Sequence, residues 1–131
     1  MRERRPRSER FERGLKVRRE VLGDAHVDRS LDAATDFSWP AQEMATEKAW
    51  ADLWTREGLD RRSRSLVTLG MLAVLNRPQE FKAHLRGALN NGVSIEELQE
   101  ICLHIGGYAG FPAGLDAFRL AGEVLKEMGL A

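Results

Sequence analysis

A single cysteine, Cys102, is the only thiol in this chain of 131 residues. It can close no internal disulfide, and it excludes both a CxxC redox pair and a cysteine-rich zinc site; a lone thiol suits a reducing compartment, so a cytoplasmic location is expected. Long apolar runs are missing too. No stretch approaches the roughly 18 residues that a membrane-spanning helix needs. The opening MRERRPRSERFERG has no apolar core of signal-peptide length, so neither a membrane nor a secretory route is expected. Net charge is absent, with 20 basic residues against 20 acidic ones, and no global field recruits nucleic acid or an acidic membrane surface. That balance conceals an asymmetry: residues 1–19 hold nine Arg or Lys against three Glu, +6, and the remainder holds eleven against seventeen, −6. A basic arm on an acidic body reads as an intramolecular or intersubunit tether more readily than as a nucleic-acid grip. Alternating apolar and polar runs are lacking as well, so no strand is expected and no phosphate loop can follow one.

What is present is helical periodicity, with apolar residues recurring at three and four. Residues 1–9 form the expected flexible basic arm and residues 10–131 a single helical domain. Phe11 to Leu22 reads as a charged first helix closed by Gly23, and DAHVDRSLDAATDF as a connector with one short helix. Ser38 and Pro40 open a helix that runs to Gly58 and carries Met44, Trp50 and Trp54 inward. Asp60 is the N-cap of RRSRSLVTLGMLAVLN, whose second half is apolar almost all round and is expected at the centre of the core. Pro78 begins the next helix, stopped by Gly92. Ser94 and Glu97 make a capping box for IEELQEICLHIGGYAG, and Pro112 begins the last helix, stopped by Gly129. The fold class is therefore all-α, a compact bundle of six to seven helices.

Two histidines stand out inside otherwise apolar helices. Glu80 and His84 are four apart, hence on one face of a helix, with Arg77 one turn earlier. A carboxylate beside an imidazole holds its tautomer and raises its basicity, which prepares a general acid or base near neutral pH. A surface Glu–His pair has the same spacing. His104 and Tyr108 repeat that spacing on the next helix among Ile101, Leu103 and Ile105, and a satisfied core histidine would read the same way. Glu80, His84 and His104 are metal-ligand types without a recognised spacing, so no metal site is expected. Arg61, Arg62 and Arg64 fit a solvated helix start; as rigid bidentate forks they also suit a substrate carboxylate or a subunit contact.

The segments GLKVRREVLGDAHVDRSL, TDF, AW, GLDRRSRSLVTLGML, HLRGALNNGVSIEELQE and LHIGGYAGFPA resemble, in order and spacing, the γ-carboxymuconolactone decarboxylase family. The resemblance runs from residue 14 to about residue 121. The wider superfamily includes alkylhydroperoxidase D-like proteins, whose redox pattern is a Glu, then a CxxC, then a His. Carried onto this sequence, that pattern puts the histidine at His84, the two cysteine positions at Arg77 and Glu80, and the glutamate position at Ser65. Both cysteines are missing, so thiol–disulfide peroxidase chemistry does not carry over.

The resemblance implies an alkylhydroperoxidase D-like helical subunit assembled as a homo-oligomer, commonly a trimer or hexamer, and a role in protocatechuate breakdown. The implied partner is a small lactone dicarboxylate. Loss of CO₂ from its γ carbon sends two electrons through the ring double bond to the lactone carbonyl, so the substrate is its own electron sink and no cofactor is expected. On this reading His84, oriented by Glu80, protonates the α carbon, while His104 or Tyr108 donates to the lactone oxygen. Arg77, Arg64 or Arg86 holds a carboxylate. Two other readings remain: a related cofactor-free lactone isomerase or lyase, and a non-catalytic helical oligomerisation module.

Overall fold

The computed structural model describes residues 6–131, and among them there are seven α-helices and no strand. Two compact units divide the chain after Leu59.

In the first unit Ser8 opens helix α1 (Glu9–Leu22) by accepting the Phe11 amide at 3.0 Å. Glu9 and Glu12 sit at the positive end of that helix and Arg19 in its last turn, each where the backbone dipole favours it. Glu9 of the expected arm is thus already helical. Arg7 lies 5.2 Å from the Phe11 ring centroid and 5.9 Å from that of Trp39, while residues 1–5 of the arm lie outside the described residues. The connector holds helix α2 (Asp24–Ala33), whose Val27 and Leu31 join Phe11, Leu15, Val21, Trp39, Trp50 and Trp54 in one apolar cluster.

The run from Ser38 differs from its expectation. Helix α3 (Trp39–Met44) gives way to a π-helical segment, Ala45–Ala51, followed by turns rather than by helix to Gly58. The wider turn changes the phase of the side chains. Trp50 and Trp54 remain buried with ring centroids 4.9 Å apart, but Met44 is 56% exposed instead of facing inward. The π-helical segment also comes so close to α1 that a Cβ on Gly14 would meet the Thr46 carbonyl oxygen at 2.1 Å, a distance that only glycine permits.

The second unit begins at Asp60, whose side chain accepts the Ser63 amide at 2.7 Å and so caps helix α4 (Arg61–Val74) as its sequence position implies. Helix α5 (Pro78–Asn90) has proline in its first turn, and helix α6 (Ile95–Ala109) opens on the complete Ser94–Glu97 capping box. Helix α7 (Phe111–Glu127) follows directly on Gly110. Helices α5 and α6 each pack on α4 and α7. Leu69, Phe81, Leu85, Leu98, Ile105 and Val124 lie at the centre.

Helix α4 is less central than its composition suggests. Leu69 is fully buried and Leu66 and Leu72 pack against the core, yet Met71 is 60% and Val74 62% exposed, with Val67 and Leu75 beside them. A helix meets its neighbours within the unit along one face only, so an apolar opposite face is left at the surface.

Helices α6 and α7 touch backbone to backbone. A Cβ on Gly114 would lie 2.7 Å from the Gly106 Cα and 3.0 Å from its nitrogen, and neither can yield as a flexible side chain would. Gly122, further along the same helix, has nothing within 4 Å of its Cβ position. Gly114→Ala is therefore expected to destabilise the protein by about 1–3 kcal/mol through overpacking. Gly122→Ala should instead stabilise it by about 0.5–1 kcal/mol through helix propensity. Denaturant midpoints of the two variants check the pair.

Candidate active site

All seven side chains singled out in the sequence belong to the second unit. Arg77 stands at the α4–α5 junction, where Asn76 adopts φ 56° and Pro78 disfavours helical backbone in the residue before it. There it joins Asp116 in lining a cleft of about 230 Å³ whose walls are largely apolar, among them Leu72, Phe81, Pro112, Ala113 and Leu120. Asp116 is paired with Arg119 at 3.6 Å. Arg77 is itself exposed and has no ion-pair partner among the described residues.

One turn further along α5 comes Glu80, exposed, and one turn beyond it His84. His84 is half-buried, flanked in sequence by the buried Ala83 and Leu85, and its Nδ1 is closed off from solvent. Glu80 and His84 thus lie on one side of the helix, a carboxylate and an imidazole on successive turns, with Arg77 just before its first residue. Arg86 does not share it. Two residues advance a helix by about 200°, which carries Arg86 to the opposite flank. There it pairs with Glu127 of α7, and Lys82 contacts Glu123 at 3.1 Å and Glu127 at 3.5 Å.

His104 and Tyr108 come together on α6, their rings stacked with centroids 4.9 Å apart and planes 20° from parallel. They are not core residues: His104 is exposed and Tyr108 is 87% exposed. Neither histidine lines the cleft.

Arg64 is half-buried on α4 with its Nε closed to solvent. The adjacent Ser65 is fully buried, and its Oγ accepts from Asn91 Nδ2 at 2.9 Å. Where the redox pattern would have a glutamate, this chain therefore has a neutral hydrogen-bonded hydroxyl. Asn91 escaped the sequence reading because an Asn-Asn-Gly run reads as a helix stop. No three His, Cys, Asp or Glu side chains among the described residues are grouped as a metal site, and no helix is long and apolar enough to cross a membrane.

The largely apolar cleft at the start of α5, together with the polar side chains that α5 carries beyond it, makes this helical unit the candidate small-molecule site. Residues 40–123, which include every residue of that site, match the Carboxymuconolactone decarboxylase family. The chain belongs to this family. It is 46% identical over 123 residues to the 4-carboxymuconolactone decarboxylase of Acinetobacter baylyi, covering 94% of this chain and 92% of that protein. It is 42% identical over 118 residues to the nitrosuccinic acid decarboxylase of Metarhizium robertsii, covering 90% and 82%. A 44-residue match at 52% identity links 34% of the chain to 92% of a 4-carboxymuconolactone decarboxylase sequence from Pseudomonas putida.

Burial pushes the Cys102 thiol up to about 11. The nucleophilic thiolate is then scarce at neutral pH. The native protein should resist iodoacetamide at pH 7.5, react once unfolded, and reduce no peroxide with a dithiol. Mass spectrometry of the alkylated protein and a coupled peroxidase assay check these outcomes.

Proposed function

We propose that the protein decarboxylates 4-carboxymuconolactone to 3-oxoadipate enol-lactone and CO₂. The observation that carries this reading is the 46% identity, over nearly the whole of both chains, to a protein of that name. The α5 geometry agrees with what the reaction requires. The bond from the γ carbon to its carboxylate breaks, CO₂ leaves, and the electron pair passes through the ring to the lactone oxygen as a furanolate. Protonation at the α carbon then gives the β,γ-unsaturated product.

His84, half-buried and one turn from Glu80, is the proton donor, and Glu80 orients it. Arg77 holds the acetate-arm carboxylate in the cleft; a strong grip on the departing carboxylate would stabilise the ground state and slow its loss. Arg86 is a weaker candidate for that task than the sequence alone suggests, because Glu127 already neutralises it. His104 or Tyr108 donates to the lactone oxygen. Both are exposed in the single chain, so this role calls for a second copy to enclose them.

The same proposal includes a homo-oligomer, a trimer or hexamer. Its support is the apolar surface of Val67, Met71 and Val74 on α4 and of Phe111 and Leu115 on α7, all exposed. Surface of that kind marks an association site. The 42% identity to a nitrosuccinic acid decarboxylase favours a second substrate class. Nitrosuccinate and carboxymuconolactone are both dicarboxylates that carry their own electron sink, a nitro group in one and an unsaturated lactone in the other. Parallel assays of CO₂ release from the two substrates decide between them.

His84→Gln should lower kcat by about 10²-fold or more with little change in fold. Arg77→Gln should act mainly on KM. In D₂O a protein-held acid delivers one deuterium to one face of the α carbon, which early-time NMR of the product detects; a racemic CHD centre would sink the positioned-acid role. Met71→Glu should lower the mass read by light scattering. A wild-type monomer at micromolar concentration would remove the oligomer from the proposal.

A further inference from the structure

In the first unit a recess of about 170 Å³ is lined by the start of α1, by α3 and by the π-helical segment. Its floor is aromatic: Phe11 and Trp39 are buried, with ring centroids 5.9 Å apart and planes tilted by 34°. The Arg7 guanidinium rests on both rings, 5.2 Å from the Phe11 centroid and 5.9 Å from that of Trp39. Within about 6 Å a ring face attracts a cation through its quadrupole, so this floor already holds positive charge.

Two carboxylates, Glu43 and Glu47, belong to the same lining, and neither is the partner of Arg7. That partner is Glu12 at 3.9 Å, outside the recess. Glu47 accepts from Ser8 Oγ at 3.3 Å and from Arg10 Nη1 at 3.5 Å, and Arg10 is shared with Asp52. Glu43 is half-buried and has no ion-pair partner among the described residues. The recess is several times the roughly 30 Å³ that one water occupies in the liquid, so it admits a group of several heavy atoms. Arg7 and Ser8 of its lining are exposed, and it is reached from solvent.

We propose that this recess is a binding site for a small alkylguanidinium cation. The cation takes its place on the rings beside Arg7, and two of its N–H groups donate to the Glu43 carboxylate as a bidentate pair. A planar guanidinium matches both a ring face and a carboxylate, whereas an ammonium is a strongly hydrated point charge that matches neither as well. The assignment concerns the first unit alone. It goes beyond the proposed reaction, and nothing in it depends on the lactone or on His84.

The test titrates full-length, ¹⁵N-labelled protein with n-butylguanidinium and, as the uncharged control of the same shape, with n-butylurea. The readout is the Trp39 indole N–H, assigned through its contacts with the Phe11 ring. Saturable movement with the guanidinium and none with the urea is expected, and added salt should weaken it. Glu43→Gln removes the charge but keeps the shape, and should lower the affinity by about fivefold or more. Arg7→Ala takes a like charge off the rings and should raise it by about twofold or more. No movement with either compound, equal movement with both, or an unchanged affinity in Glu43→Gln overturns the proposal. The comparison of guanidinium with urea uses wild-type protein, so it stands even where a variant does not fold.

Discussion

Backbone contact between Gly106 and Gly114 is the constraint on which the second unit depends. The two helices approach to a distance at which a single added methyl would fall inside the partner's backbone, so their crossing point is set by sterics rather than by side-chain fit. Because the helices join directly at Gly110, that crossing fixes the first turn of α7. Pro112 and Ala113 of this turn, with Asp116 of the next, form part of the cleft that Arg77 also lines. The same contact settles which flank of α6 faces away from the core, and His104 and Tyr108 lie there. A steric condition at two glycines thus governs the placement of chemistry several residues away on each helix.

The distribution of cations adds a second layer. Most of the arginines and lysines with resolved partners are engaged in surface pairs: Arg10 with Asp52, Arg19 with Asp28, Arg62 with Glu97, Lys82 with Glu123 and Arg86 with Glu127. Such exposed pairs contribute little to stability, because solvent screens them. They nevertheless decide which cations remain available to bind an anion. Arg77 lines its cleft without an ion-pair partner among the described residues, and Arg18 is enclosed with neutral acceptors only. The family to which the chain belongs has members named for decarboxylation of two different dicarboxylic acids, and a guanidinium without an internal partner is the group such substrates require.

Much of the architecture was legible in the order of residues. Asp60, the Ser94–Glu97 box, Pro78 and the glycines Gly23, Gly92 and Gly129 are local signals, and helices start or stop within a residue or two of each, whereas the helix expected to run to Gly58 ends earlier. The π-helical segment was not legible. It meets α1 at the close approach of Gly14 to Thr46, a contact between residues 32 positions apart that no local signal announces. The outward face of α4 was misread for a related reason. Val67, Met71 and Val74 are apolar, and composition alone cannot say how many sides of a helix have neighbours.

The same division runs through the candidate site. By itself the sequence determined that the chain is helical, that it lacks the second thiol a peroxidase cycle needs, and that Glu80 and His84 share one side of a helix, because each follows from residue type and a 3.6-residue repeat. Only the tertiary structure decided that Arg86 is neutralised by Glu127, that His104 and Tyr108 stack at the surface, and that Arg18 is buried among neutral acceptors. Those facts depend on which helix lies opposite each side chain. Periodicity specifies the face a residue occupies, but the electrostatic character of that face is supplied by residues distant in the chain.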